Sequence, residues 1–141
     1  MGWLTELKER DYRPCEGEPF MNESQREYFR LKLLRWKEDI LREARETLLH
    51  LQNENENHPD HADRASSETD RAIELRARDR QRKLLAKIDA ALGRIEEGTY
   101  GFCEETGEPI SIHRLEARPI ATLSIEAQER HERRERVYRD E

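Results

Sequence analysis

The strongest constraint on how this chain folds is a pair of long apolar-periodic stretches of near-equal length, separated by a short break. In the first, Leu33/Leu34, Ile40/Leu41, Ala44, Leu48 and Leu51 recur at steps of three and four residues to about Asn53, the spacing of one helical face. In the second, from about Asp63 or Ser67, the period resumes with Ile73, Ala77, Leu84, Ile88, Ala91/Leu92 and Ile95 and stops at Gly98, a residue suited to ending a helix. Ser24 followed by Glu27 reads as a capping box that opens the first helix. The break contains Asn53, Asn55, Asn57 and Pro59, turn formers that compete with helical geometry. Two helices joined by so short a loop run back to back, as an antiparallel coiled-coil hairpin. Arms of ~30 residues are then about 45 Å long.

The chain has 141 residues, of which 34% are apolar and 41% charged, which argues against a large compact core and for long solvated helices. The seam itself is interrupted around Glu74, Arg78 and Gln81, so the half of the hairpin nearer the tip is held less tightly than the half nearer the base. The formal net charge of -6 disfavours generic DNA binding, which rests on clustered cations. Charge is also segregated. Residues 24–53 carry seven Lys/Arg against five acids and 71–97 carry eight against five, whereas 54–70 carries six acids and one Arg. Two mildly basic arms flank an acidic tip.

Cys15 and Cys103 are the only thiols, too few for a disulfide framework and compatible with a reducing cytosol. There is no secretory apolar region and no apolar run near the length of a membrane span, so a soluble, cytoplasmic protein is expected.

The expected fold is mostly α: an antiparallel coiled-coil hairpin over 23–97 with its tip at 54–66, on a small globular base. Residues 1–22 form an irregular lead-in, with Trp3, Leu4, Leu7 and Phe20 available for packing. Residues 98–141 form a zinc-ribbon-like ββ element and a C-terminal helix. Within 99–118, the alternation of Ile110 and Ile112 with Tyr100 and Phe102 reads as short strands around a turn at Thr106 and Gly107. Ser124 caps a last helix that reaches about Tyr138 and is dense in charge.

The ribbon is signalled by a frame of two pairs, each spaced by two residues and separated by seventeen: Cys103 and Thr106, then Ser124 and Ala127. Structural zinc takes thiolate or imidazole at nearly every corner, hydroxyls are poor ligands and Ala is none. Zinc is therefore expected to be absent. Packing of Phe102, Ile110, Leu115, Ile120, Leu123 and Ile125, with a bond between Thr106 and Ser124, is expected to close the base.

Several stretches coincide with one family. NHPDHADRA at the tip, ELRARDRQRKLLAKIDAALGRIEEGTYGFCEETGEPI after it, RLEARPIATL further on and EPFMNESQREYFR before the first arm resemble the DksA family of bacterial RNA polymerase-binding transcription factors. The resemblance runs from about Tyr12 to the end. It implies direct binding of RNA polymerase, entry of the coiled coil into the secondary channel, and no sequence-specific DNA contact. It also implies destabilised open complexes at ribosomal RNA promoters, and stimulation of some biosynthetic promoters, with guanosine tetraphosphate (ppGpp) as co-regulator.

Residue by residue, the resemblance assigns Asp60, Asp63 and Ala65 to the polymerase active centre, where carboxylate oxygens suit a hard cation. By spacing alone, Asp60 makes a turn and Asp63 caps the second helix. Arg80, Leu84, Lys87 and Arg118 fall where the family meets polymerase or the nucleotide, and Arg and Lys suit phosphates. Gln128 stands where the family commonly has a further Lys. The plain alternative makes Arg80 and Lys87 exposed coiled-coil charges and Leu84 seam packing. No cofactor is expected and no catalysis, since no nucleophile with an adjacent base and no phosphate-cradling Gly loop appear. A monomer without membrane contact is expected. A Gre-like transcript cleavage factor and a non-catalytic coiled-coil scaffold are the alternatives.

Overall fold

A computed structural model describes the backbone of residues 12–57 and 61–139, and the side chains of these residues apart from 51, 54–57, 61–67 and 139. Among the described residues the helices are α1 (Glu23–Asn57), α2 (His61–Glu97), α3 (Ile112–Ala117) and α4 (Ile125–Arg139). The mostly-α fold with its helical hairpin is thus present. Of the expected tip at 54–66, residues 54–57 lie in α1 and 61–66 in α2, while 58–60 lie outside the described residues. Asn is a weak helix former, yet its cost per position is only several tenths of a kcal/mol, and Asn53, Asn55 and Asn57 all lie within α1.

The entry to α1 differs from the expected box by two residues. Asn22 Oδ1 accepts from the Gln25 backbone N–H at 2.8 Å, and Gln25 Oε1 accepts from the Met21 N–H at 2.7 Å. Gln25 is fully buried and donates through Nε2 to Cys15 O at 3.3 Å, so the reciprocal cap also ties down the lead-in. Glu27 instead pairs with Arg30 at 2.7 Å. The Arg30 side chain, bonded to its carboxylate, holds Glu27 below the usual carboxylate range despite partial burial. At the far end of α2, Gly98 takes φ +80° and Thr99 N–H donates to Arg94 O at 2.9 Å, the left-handed stop expected there.

The chain divides into two compact units. One is Leu34–Asp89 and the other joins Met1–Leu33 to Ala90–Glu141. In Leu34–Asp89, Ile40 and Ile88 are the buried pair, and Lys37 Nζ meets Asp89 Oδ1 at 2.7 Å, which fixes α1 and α2 as antiparallel there. Leu34, Leu41 and Leu48, expected in the seam, are instead 38%, 41% and 44% exposed, and Ile73 is 57% exposed. Trp36, Ala44 and Thr47 on α1 and Glu74, Ala77, Arg78 and Gln81 on α2 are half-buried instead. The polar interruptions therefore sit inside the seam. The Glu74 Oε2 atom is buried without a hydrogen-bond partner, which costs about 1–3 kcal/mol.

In the other unit the core includes Phe29, Leu33, Ala91, Ile95, Tyr100, Ile110 and Leu115. Burying each large side chain contributes about 1.5–3 kcal/mol. Phe29 and Tyr100 pack with their rings tilted at 46° and centroids 5.6 Å apart, and the Tyr100 hydroxyl donates to Pro119 O at 2.7 Å. The expected ββ element is reduced to one bridge between Phe102 and Pro109. Beyond that bridge the chain enters α3 rather than a second strand, because the Ser111 hydroxyl accepts from the Arg114 N–H at 3.2 Å and caps a helix at Ile112. Of the residues expected to close this base, Ile110, Leu115 and Ile120 are buried. Leu123 is half-buried, while Phe102 and Ile125 are 39% and 48% exposed. Cys15 and Cys103 are both free thiols. Trp3, Leu4 and Leu7 lie outside the described residues.

Candidate functional site

Arg80, Leu84 and Lys87 lie at i, i+4 and i+7 on α2, so they share one face of the helix over about 10 Å. Leu84 is half-buried, and Arg80 and Lys87 are exposed. Among the described residues neither cation has an ion-pair partner, whereas nearby Lys83 is held by Asp79 at 3.1 Å. Two unspent cations flanking a leucine form a face able to bind an anion or an acidic partner.

Arg118 belongs to the other unit. It is the C-cap of α3, its backbone N–H donating to Arg114 O at 2.7 Å, and its side chain is exposed. Gln128, in α4, spends its amide on Glu132 Oε1 at 3.3 Å. Asp60 lies outside the described residues. Asp63 and Ala65 fall within the first two turns of α2, and Asp63 is the third helical residue rather than its cap, because the helix starts at His61.

The ribbon frame brings Cys103 into a nest of donors. Its thiol is buried, which opposes ionisation. The Thr106 side chain and the backbone N–H groups of Ser124, Thr106 and Glu105 outweigh this and lower it to about 6, as convergent hydrogen bonds favour a thiolate. Thr106 and Ser124 do not bond each other as expected. The Thr106 hydroxyl accepts from Glu108 N–H and the Ser124 hydroxyl from Ala127 N–H, each at 3.2 Å. His131 is engaged by Glu105 at 2.8 Å.

No spacing in the sequence announces one further cluster. The Tyr28 hydroxyl donates to the Glu116 carboxylate, and Lys32 Nζ donates to Glu116 O at 2.7 Å. The Tyr28 hydroxyl, and then the Lys32 charge, hold Glu116 below the usual carboxylate range against the opposing effect of partial burial. The partners are 88 and 84 residues apart, so periodicity carries no trace of them.

The family described as DnaK suppressor protein DksA, N-terminal domain, matches residues 25–95, half of the chain. The chain belongs to the DksA family. The RNA polymerase-binding transcription factor DksA of Caulobacter vibrioides is 72% identical over 135 residues, which is 96% of this chain and 95% of that protein. DksA of Escherichia coli K12, named in the same words, is 43% identical over 125 residues, covering 89% and 83%. The solved structure of transcription factor DksA2 from Pseudomonas aeruginosa superposes with a TM-score of 0.79 at 45% identity, over 88% of this chain and 94% of that one.

A second DksA match corrects one expectation. Residues 98–133 match the prokaryotic dksA/traR C4-type zinc finger, so the expectation that zinc is absent, drawn from the missing cysteines, is overturned: by family this segment is a zinc finger. Of the four frame positions Cys103 alone supplies a metal-competent thiolate, with two engaged hydroxyls and a methyl at the others. That donor set does not fit a four-thiolate tetrahedron. Among the described residues no group of three or more His, Cys, Asp or Glu is placed to hold a metal. Among the same residues no helix is long and apolar enough to cross a membrane.

Proposed function

We propose that this chain is a bacterial transcription regulator that binds RNA polymerase directly and acts in the cytoplasm as a monomer, without sequence-specific DNA contact. The hairpin enters the secondary channel and carries Asp60, Asp63 and Ala65 to the active centre. There it destabilises open complexes at ribosomal RNA promoters together with guanosine tetraphosphate, and it activates some biosynthetic promoters. It catalyses no reaction. The observation that carries this reading is the 72% identity, over 96% of the chain, to a protein named as an RNA polymerase-binding transcription factor.

The described geometry supports the same reading. Within Leu34–Asp89 the antiparallel pair extends for roughly 35 Å, a length suited to a probe. Arg80 and Lys87 are free to meet phosphate or polymerase, with Leu84 between them, and Arg118 offers a further cation. With its amide on Glu132, Gln128 contributes at most a neutral hydrogen bond where a Lys would add charge.

Sedimentation of the full chain with and without core RNA polymerase tests the reading. A monomer alone and a stoichiometric complex with polymerase are expected. Self-association with no polymerase complex would contradict it and favour a scaffold.

A further inference from the structure

The two arginines of the RLEAR run are used in opposite ways. Arg114 is spent on the protein itself, its Nε donating to Leu123 O at 2.9 Å. Arg118 is exposed, and among the described residues its guanidinium has no partner. Its backbone, by contrast, is tied on both sides. Two residues before it, Glu116 O accepts from Lys32 Nζ at 2.7 Å. One residue after it, Pro119 O accepts from the Tyr100 hydroxyl at 2.7 Å. Its own N–H and carbonyl are engaged by Arg114 O at 2.7 Å and Ala121 N–H at 3.0 Å. The Glu116 carboxylate receives the Tyr28 hydroxyl, with Lys32 Nζ 3.6 Å away, and Arg13 Nη1 donates to that hydroxyl at 3.3 Å.

With the backbone pinned from both sides, the point from which the Arg118 side chain departs is fixed, so only side-chain freedom remains to be lost when its planar fork meets an anion. The Tyr100 anchor comes from the core. The Tyr28 and Lys32 anchors come from half-buried positions on α1, where packing alone does not call for a hydroxyl and an ammonium. We propose that Tyr28 and Lys32 are positioning residues for Arg118: by holding Glu116 they fix the backbone position from which the Arg118 guanidinium is offered, and so set the affinity for the polyphosphate co-regulator. This rests on the reading of Arg118 as a nucleotide contact under the proposed function.

The test is in vitro transcription from a ribosomal promoter with the full chain and RNA polymerase, titrated with guanosine tetraphosphate. Tyr28→Phe keeps the ring that packs edge-on against Phe29 at 5.2 Å and removes only the hydroxyl, which donates to Glu116 and accepts from Arg13. Tyr28→Phe and Lys32→Met should each raise the half-maximal nucleotide concentration about three- to tenfold, the scale of the net contribution of one ordinary hydrogen bond. Inhibition without nucleotide and at saturation should stay unchanged, and Lys32→Arg should restore the wild-type value. Arg118→Ala separates the two readings. If it shifts the titration while Tyr28→Phe and Lys32→Met do not, positioning is wrong and the Arg118 contact stands. If Arg118→Ala shifts nothing, the contact fails and the positioning role with it. Loss of inhibition at every nucleotide concentration, not rescued by Lys32→Arg, would make Lys32 a structural anchor alone and overturn the proposal.

Discussion

At Gly101 the backbone takes φ +89°, and a Cβ there would lie 3.0 Å from Phe20 Cζ and 3.1 Å from Met21 Cε. The dihedral favours glycine, and the side-chain ends of Phe20 and Met21 would have to give by a few tenths of an ångström to admit a Cβ. Gly101→Ala should therefore lower the stability of the base by about 1–3 kcal/mol, read as a lower urea midpoint. An unchanged midpoint would mean that Phe20 and Met21 are not seated as described. Glu116 gives a pH prediction. Its carboxyl is held below the usual carboxylate range by the Tyr28 hydroxyl and then Lys32, against burial. A depressed carboxylate contributes stability that is complete above its unfolded value and lost as pH falls through its folded one. The stability gap between wild type and Glu116→Gln should thus be full at neutral pH and shrink below about pH 4.3, the ordinary value of a free Glu. A gap that widens in acid would rule out the assignment.

At the scale of the element, α1 is capped by Asn22 and Gln25 rather than by Ser24 and Glu27. Asn22→Ala should cost about 1 kcal/mol in thermal or urea unfolding, the usual value of an N-cap, and Ser24→Ala should be near neutral. The reverse ranking would restore the box two residues downstream. Both boxes have the same residue chemistry, and only the packing of Gln25 against the lead-in decides between them, which a local pattern does not contain. The hairpin, the Gly98 stop and the Ser124 cap were legible because each depends on residues three or four apart. The seam was legible only in part. Heptad-spaced Leu34, Leu41 and Leu48 are as regular as the true inner row, so hydrophobicity alone did not choose the face. The strands expected from Ile110 and Ile112 gave way to a Ser111-capped turn of helix, since two isoleucines suit either. The tie between α1 and Glu116 was illegible because it joins positions with no sequence relation. The metal reading failed for another reason: a count of ligand residues is a weaker witness than the match of the whole 98–133 segment.

For the whole molecule, the net charge of -6 with basic arms and an acidic tip suits a protein that meets an enzyme rather than a DNA duplex. In the proposed function the tip carboxylates act on promoter complexes while other surfaces supply the binding. That division of labour is read from open-complex lifetime at a ribosomal RNA promoter with wild type, Asp60→Asn and Asp63→Asn, alongside their affinity for RNA polymerase. Both variants should bind polymerase as wild type does and no longer shorten the lifetime. Shortening by both variants equal to that of the wild type would remove the tip from the mechanism.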